Sequence, residues 1–249
     1  MFLRVTVFYV ATLLLSGVMI ALQGGVGLDP DLLELVQFAP ALGVGVMFLL
    51  FRRTTSVAAR FTPAAVVARK SALVVGIVAA AIAVSVLVHV IAGQPLHFDE
   101  QKYPFWALTL TMLIGSAGEE LGWRAYLQPY LQTRYGVLRS SLTVGVLWGV
   151  WHVGGFANGP VFMGAFLLMT ISLSVVLGAV LQTARGTNLA IATVAHTAVN
   201  LAMFALFDEE TGHAFPMVVM GLAWAAAAVV THRALRPAPV ARPLTTLPG

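Results

Sequence analysis

Eight apolar runs, each close to the roughly 20 residues that carry a helix across a ~30 Å hydrocarbon core, leave this chain little freedom to fold in water. They are Val5–Leu22, Leu32–Phe51, Ala72–Ala92, Pro104–Tyr126, Val137–Phe156, Val161–Gln182, Asn188–Phe207 and Phe215–Val230, the last with room to extend to Leu235. A lipid-facing backbone must satisfy its own polar groups, so each run is expected to be an α-helix. Only 10% of the 249 residues are charged, against about 25% in an ordinary soluble domain. The expected fold class is therefore all-α: a polytopic integral membrane protein with about eight transmembrane helices. The first run is longer than the roughly 7–15 apolar residues of a signal-peptide core, so it is read as a helix. No linker or clear internal repeat interrupts the series, which predicts a single transmembrane domain over residues 1–249.

The basic residues alternate with the spans. Arg4, then Arg52, Arg53, Arg60, Arg69 and Lys70, then Arg134 and Arg139, then Arg185, then Arg233, Arg236 and Arg242 fall on one side, 12 of the 14. The other side holds Lys102 with Asp29, Asp31, Asp99, Glu100, Asp208, Glu209 and Glu210, and Arg124 lies within a span. The positive-inside rule puts both termini and the Arg-rich loops in the cytoplasm of a cell-membrane protein. The basic pI of about 9.9 is thus a topology signal and predicts no nucleic-acid partner. The absence of cysteine excludes disulfides, c-type haem and thiolate metal sites.

Against this background a few polar residues lie where lipid or core is expected: Glu119, Glu120 and Arg124 in the fourth span, His152 in the fifth, and His196 and Asn200 in the seventh. An ionisable group at this depth costs about 2.5 kcal/mol or more unless it faces a protein interior or a wet cavity. Glu120 and Arg124 are spaced i, i+4 and share a face, which predicts a buried ion pair. That pair leaves Glu119 unexplained. At about 1.5 Å per residue, Glu120 lies ~21 Å from Arg134, His152 ~20 Å from Arg139 and His196 ~17 Å from Arg185, so the groups can meet in one layer. Trp148 with His152, and His196 with Asn200, are also i, i+4 pairs. Gly145 and Gly149 beside them leave a small-residue face for a close helix neighbour. A carboxylate and an imidazole can share deprotonation of water, and an imidazole with a carboxamide can donate to a developing oxyanion. Amide hydrolysis by activated water needs that combination.

The motifs Glu119-Glu120-Leu121-Gly122-Trp123-Arg124, Trp148-Gly149-Val150-Trp151-His152 and His196-Thr197-Ala198-Val199-Asn200, in this order on successive spans, resemble the CPBP family. These are intramembrane proteases that include type II CAAX prenyl endopeptidases, bacteriocin-processing proteins and abortive-infection proteins. The resemblance covers about residues 104–207, with Trp148 where phenylalanine is usual. It implies Glu119 and His152 as the water-activating pair, His196 and Asn200 as the oxyanion site, and Glu120, Arg124 and the aromatic Trp148 in support. The implied partners are membrane lipids and a membrane-associated peptide or protein. Many relatives are labelled metalloproteases, so zinc held by Glu119, Glu120, His152 and His196 is the alternative. The fixed charge of Arg124 argues against a cation, and no cofactor is predicted. A transporter or channel using Glu119 and the histidines as a proton relay, or a non-catalytic scaffold of the same family, are the competing functions.

Other protease chemistries find no footing. There is no Gly-x-Ser-x-Gly or His-Glu-x-x-His, and Asp29, Asp31, Asp99 and Asp208 lie in loops or at helix ends. His89 is read as a packed histidine, His97, His213 and His232 as loop or terminal residues, and Trp106 and Trp224 as packing or interfacial aromatics. Residues 236–249 read as a disordered cytoplasmic tail. Reporter fusions after Gly249 and within 54–68 are expected to report the cytoplasm, and fusions within 97–101 or 208–213 the opposite side. An external signal from the C-terminal fusion would remove this topology.

Overall fold

The computed structural model describes residues 1–58, 62–96, 102–181, 189–207 and 212–235. Arg60, His97, Asp99, Glu100, Arg185, Asp208, Glu209, Glu210, the span ends Gln182 and Asn188, and the tail 236–249 lie outside the described residues. Within them the chain is helical without a strand: α1 (Phe2–Val26), α2 (Ala39–Leu50), α3 (Ala64–Ile91), α4 (Phe105–Glu120), α5 (Gln128–Gln132), α6 (Val137–Trp151), α7 (Gly159–Leu181), α8 (Leu189–Leu206) and α9 (Ala214–Ala234). Phe2–Val26, Ala64–Ile91, Val153–Leu181, Leu189–Leu206 and Ala214–Ala234 are long and apolar enough to cross a membrane, while Leu35–Leu50 and Val137–Trp151 are shorter apolar helices. The chain is an all-α, multi-pass membrane protein.

The helix ends follow local chemistry. Gly27 adopts φ 65° after α1, a left-handed turn that costs a residue without Cβ nothing. Pro63 and Pro104 immediately precede α3 and α4, and Pro40 occupies the first turn of α2, where the missing N–H has no intrahelical partner to lose. α7 forms the middle of the bundle: Phe166, Met169, Leu173, Leu177 and Val180 are all buried. α1 by contrast shows Leu3, Leu14, Ile20 and Val26 on its outer surface, as a lipid-facing helix does.

Several expected boundaries move. The second span begins at Leu35 with one 3₁₀ turn, Leu35–Phe38, so Leu32, Leu33 and Glu34 belong to the loop after α1. The fifth ends at Trp151, because His152 leaves helical geometry and Val153–Asn158 forms a 3₁₀ segment containing Gly154 and Gly155. His232, expected in a terminal segment, lies in the last turn of α9, which runs on to Ala234. The fourth span continues beyond Tyr126 to Gln132, through a π-helical segment Leu121–Leu127. This distortion precedes Pro129, which lies in the first turn of α5. Pro129 has no N–H to offer the Ala125 carbonyl four residues back, and the Ala58 N–H donates to that oxygen at 2.8 Å. Trp106 is exposed and Trp224 fully buried. His89 is a packed histidine, as expected: its Nδ1 donates to the Ser85 carbonyl at 2.7 Å and its ring meets Phe207 and Phe215.

The small-residue face on α6 meets α7. A Cβ on Gly145 would lie 2.5 Å from the Ile171 Cα, and one on Gly149 2.5 Å from Thr170 Oγ1. The Thr170 hydroxyl donates to the Gly145 carbonyl at 3.2 Å, so the backbones are in direct contact there. Gly145→Val should therefore force backbone from backbone and cost roughly 1–3 kcal/mol or more, as overpacking does. Gly76→Val, on an open face of α3 with nothing within 4 Å, is the matched control. Equal thermal unfolding of the two variants in detergent would contradict this packing.

Candidate active site

The site is built on the helical rod that joins α4 to α5. Its glycines let a second backbone lie close: a Cβ on Gly118 would sit 2.9 Å from the Gln37 carbonyl oxygen, and one on Gly122 2.4 Å from the Pro40 Cβ. The 3₁₀ turn and the start of α2 therefore press on the face beside the two glutamates. The π segment begins directly after Glu120, and from Gly122 to Leu127 every residue is buried. Such segments commonly mark functional sites in helices.

Glu120 and Arg124 are both wholly removed from solvent, and Arg124 Nη1 donates to Glu120 Oε1 at 3.0 Å. The expected pair is present. Arg124 Nη2 also donates to Ser174 Oγ on α7 at 2.9 Å, and the guanidinium carbon stands 4.4 Å from the centre of the Trp148 ring, within cation–π range. Glu120 does more than the spacing implied. Its Oε1 also accepts from His196 Nδ1 at 2.9 Å, tying α8 to the same carboxylate. Breaking a buried pair of this kind costs about 3–5 kcal/mol.

Trp148 joins the remaining groups. Its indole N–H donates to Glu119 Oε2 at 2.8 Å. Its backbone carbonyl accepts from His152 Nδ1 at 2.9 Å. A carbonyl can only accept, so this partner puts the His152 proton on Nδ1 and leaves Nε2 with a free lone pair when the ring is neutral. His152 sits at the end of α6 with Trp148, Trp151 and Phe166 around its ring, centroid distances 6.0, 4.9 and 4.8 Å. The His196 ring packs 5.0 Å from Trp148. Its Nδ1 is committed to Glu120, so donating through Nε2 requires the ring to carry both protons, with Glu120 as counter-charge.

Glu119, Trp148, His152, His196 and Asn200 all line one cavity of about 600 Å³. The four residues expected to act are thus brought together, and Glu120 and Arg124 stand behind the wall in support. Sequence reasoning missed Gln37, whose half-buried side chain lines the same cavity. It missed Ser174 as a partner of Arg124, and the loop residues Pro30–Glu34 on the cavity wall. A lone glutamine in an apolar run and a serine in a buried helix carry no spacing signal that would have revealed them.

Trp148 Nε1, the Trp148 carbonyl and Glu120 Oε1 are the partners of Glu119 Oε2, His152 Nδ1 and His196 Nδ1, and among the described residues no three His, Cys, Asp or Glu side chains are grouped to hold a metal ion.

Residues 101–202 match the family described as type II CAAX prenyl endopeptidase Rce1-like, and all three motifs fall inside that segment. Lysostaphin resistance protein A of Staphylococcus haemolyticus is 25% identical over 232 residues, covering 88% of this chain and 62% of that protein. The protein of the same name from Staphylococcus epidermidis is 27% identical over 230 residues, 88% of this chain and 59% of that protein. The Staphylococcus aureus Newman protein is 24% identical over 239 residues, 91% and 55%. The match thus spans 55–62% of the length of these relatives. Residues 101–202 are thus similar to the Rce1-like type II CAAX prenyl endopeptidase family, in line with the resemblance carried by the three motifs.

Proposed function

We propose that this protein is an intramembrane endopeptidase that hydrolyses a peptide bond of a membrane-associated peptide or protein with water activated by Glu119 and His152. The observation that carries this reading is the division of labour between the two glutamates. Glu120 is bonded through Oε1 to Arg124 and His196, whereas Glu119 lines the cavity and is held there by one indole N–H.

In this mechanism a water molecule between Glu119 and His152 loses a proton to the base pair, and the oxygen forms a bond to the substrate carbonyl carbon. The carbonyl π pair becomes an oxyanion that accepts from His196 Nε2–H and the Asn200 amide. Collapse of the tetrahedral intermediate breaks the C–N bond, and the proton taken from water passes to the leaving amine. General-base catalysis of this kind contributes about 10²–10⁴-fold, and a single oxyanion donor about 10²–10³-fold. The relatives' name speaks of lysostaphin resistance and of no peptidase. A non-catalytic membrane scaffold is therefore the second reading, and it requires that no peptide is cleaved. Both termini in the cytoplasm remain part of the proposal.

A peptide library presented to the protein in reconstituted membranes tests the reading. Glu119→Gln should lower cleavage by roughly 10²–10⁴-fold and leave the yield of folded protein unchanged, since shape and the indole contact are kept. Glu120→Gln should lower the folded yield as well, because it leaves Arg124 and His196 without their counter-charge, a loss of about 3–5 kcal/mol. Full activity in Glu119→Gln would sink the assignment.

Cleavage should also survive exhaustive chelation in detergent, with metal content determined on the same sample. Stoichiometric zinc whose removal abolishes activity and whose return restores it would show the metal alternative to be right.

A further inference from the structure

The cavity is one-sided. From Glu119 its wall climbs α4 through Met112 to Leu108, about 16 Å at 1.5 Å per residue, and ends beside Lys102 and Tyr103. From His196 it climbs α8 through Asn200 to Phe204. Both walls lead to the end of the bundle where Asp31 and Glu34 stand on the rim, exposed. Toward the opposite end the described residues are packed together. Trp123, Leu127, Leu177, Ile191 and Ala192 each have no solvent exposure, and they fill the space between the catalytic layer and the helix ends that carry Arg134 and Arg139.

The rim is a built structure. The Asp29 carboxylate accepts from the Lys102 ammonium and, at 2.7 Å, from the Tyr103 hydroxyl, and these two partners, Lys102 first, hold its pKa down to about 2. The Gln23 amide donates to the Leu28 and Leu33 carbonyls at 3.0 and 2.8 Å and accepts from the Leu35 N–H at 2.6 Å. These contacts fix the loop after α1 as the cavity's outer wall, and Gln37 continues it inward.

We propose that the cavity is reached from the acidic-loop face, so that its substrates are membrane-anchored peptide segments presented outside the cytoplasm rather than cytosolic tails. The inference rests on the endopeptidase reading above for the word substrate, and on the charge asymmetry for the side: among the described residues Arg52, Arg53, Arg134 and Arg139 belong to the segments at the packed end, which the positive-inside rule makes cytoplasmic. A peptide arriving from the Arg-rich face would meet the packed layer of Trp123, Leu127 and Ile191 before any catalytic group.

The chain has no cysteine, so single cysteines can be labelled without background. Met112→Cys on the cavity wall, Leu33→Cys at the rim and Arg53→Cys on the Arg-rich face would be treated with a membrane-impermeant maleimide in intact cells and after permeabilisation. Phe204→Cys on the α8 wall replaces Met112→Cys if that variant does not accumulate. Leu33→Cys and Met112→Cys should label equally under both conditions, and Arg53→Cys only after permeabilisation. Labelled Met112→Cys should no longer cleave the best library peptide, while the cysteine-free parent is unaffected by the reagent. A wall cysteine labelled only after permeabilisation, or under neither condition, overturns the proposal, as does Arg53→Cys labelled in intact cells. If the wall labels from outside but the parent cleaves no peptide, the access route stands and the endopeptidase reading falls.

Discussion

A guanidinium with no solvent exposure, held in the middle of a membrane protein, has to be neutralised where it lies, and the fold around the site is arranged to do so. Arg124 meets Glu120 on its own helix, Ser174 on α7 and the face of Trp148 on α6. Glu120 in turn holds His196 on α8. Four helical elements are thereby locked to one charge pair, and an uncompensated partner would cost about 3–5 kcal/mol. That cost sets the relative depth of α4, α6, α7 and α8 more tightly than apolar packing can, since lipid tails are as apolar as leucine.

Two features of the backbone make this convergence possible. The glycines on α4 and the π segment admit the Gln37–Pro40 backbone against the face next to the glutamates. The glycines on α6 bring Trp148 against α7. With Trp148 placed, its two ends act separately: the indole N–H fixes a Glu119 oxygen, and the carbonyl fixes the tautomer of His152. α6 then stops, the 3₁₀ segment with Gly154 and Gly155 turns away, and His152 is left at a helix end, half-buried on the cavity wall. A histidine one turn deeper in a continuing helix would have been packed like His89.

The cavity's polarity follows from the same construction. The charge network and the aromatic residues behind it, Trp123 and Tyr126 among them, fill the Arg-rich half of the bundle, so the open space is left in the other half. Loop residues after α1 complete its wall because Gln23 and Asp29 tie that loop down at both ends. The site is therefore a cleft with a polar rim.

Much of this was legible in the residues alone. Apolar run length gave the helical class and nearly every span, because the bilayer requirement is local and one-dimensional. The i, i+4 spacing gave the Glu120–Arg124 pair and the Trp148–His152 contact, because helical periodicity fixes neighbours on the same rod. The three motifs located Glu119, His152, His196 and Asn200. Spacing on one helix, however, carries no information about how that helix is rotated toward another. That His196 meets Glu120, that Trp148 bonds Glu119, that Ser174 and Gln37 join the site, and that the span ends at Trp151 were settled by packing between helices. The direction in which the cleft opens belongs to the same group: it depends on which half of the bundle the large buried side chains fill, and only the assembled tertiary structure decides that.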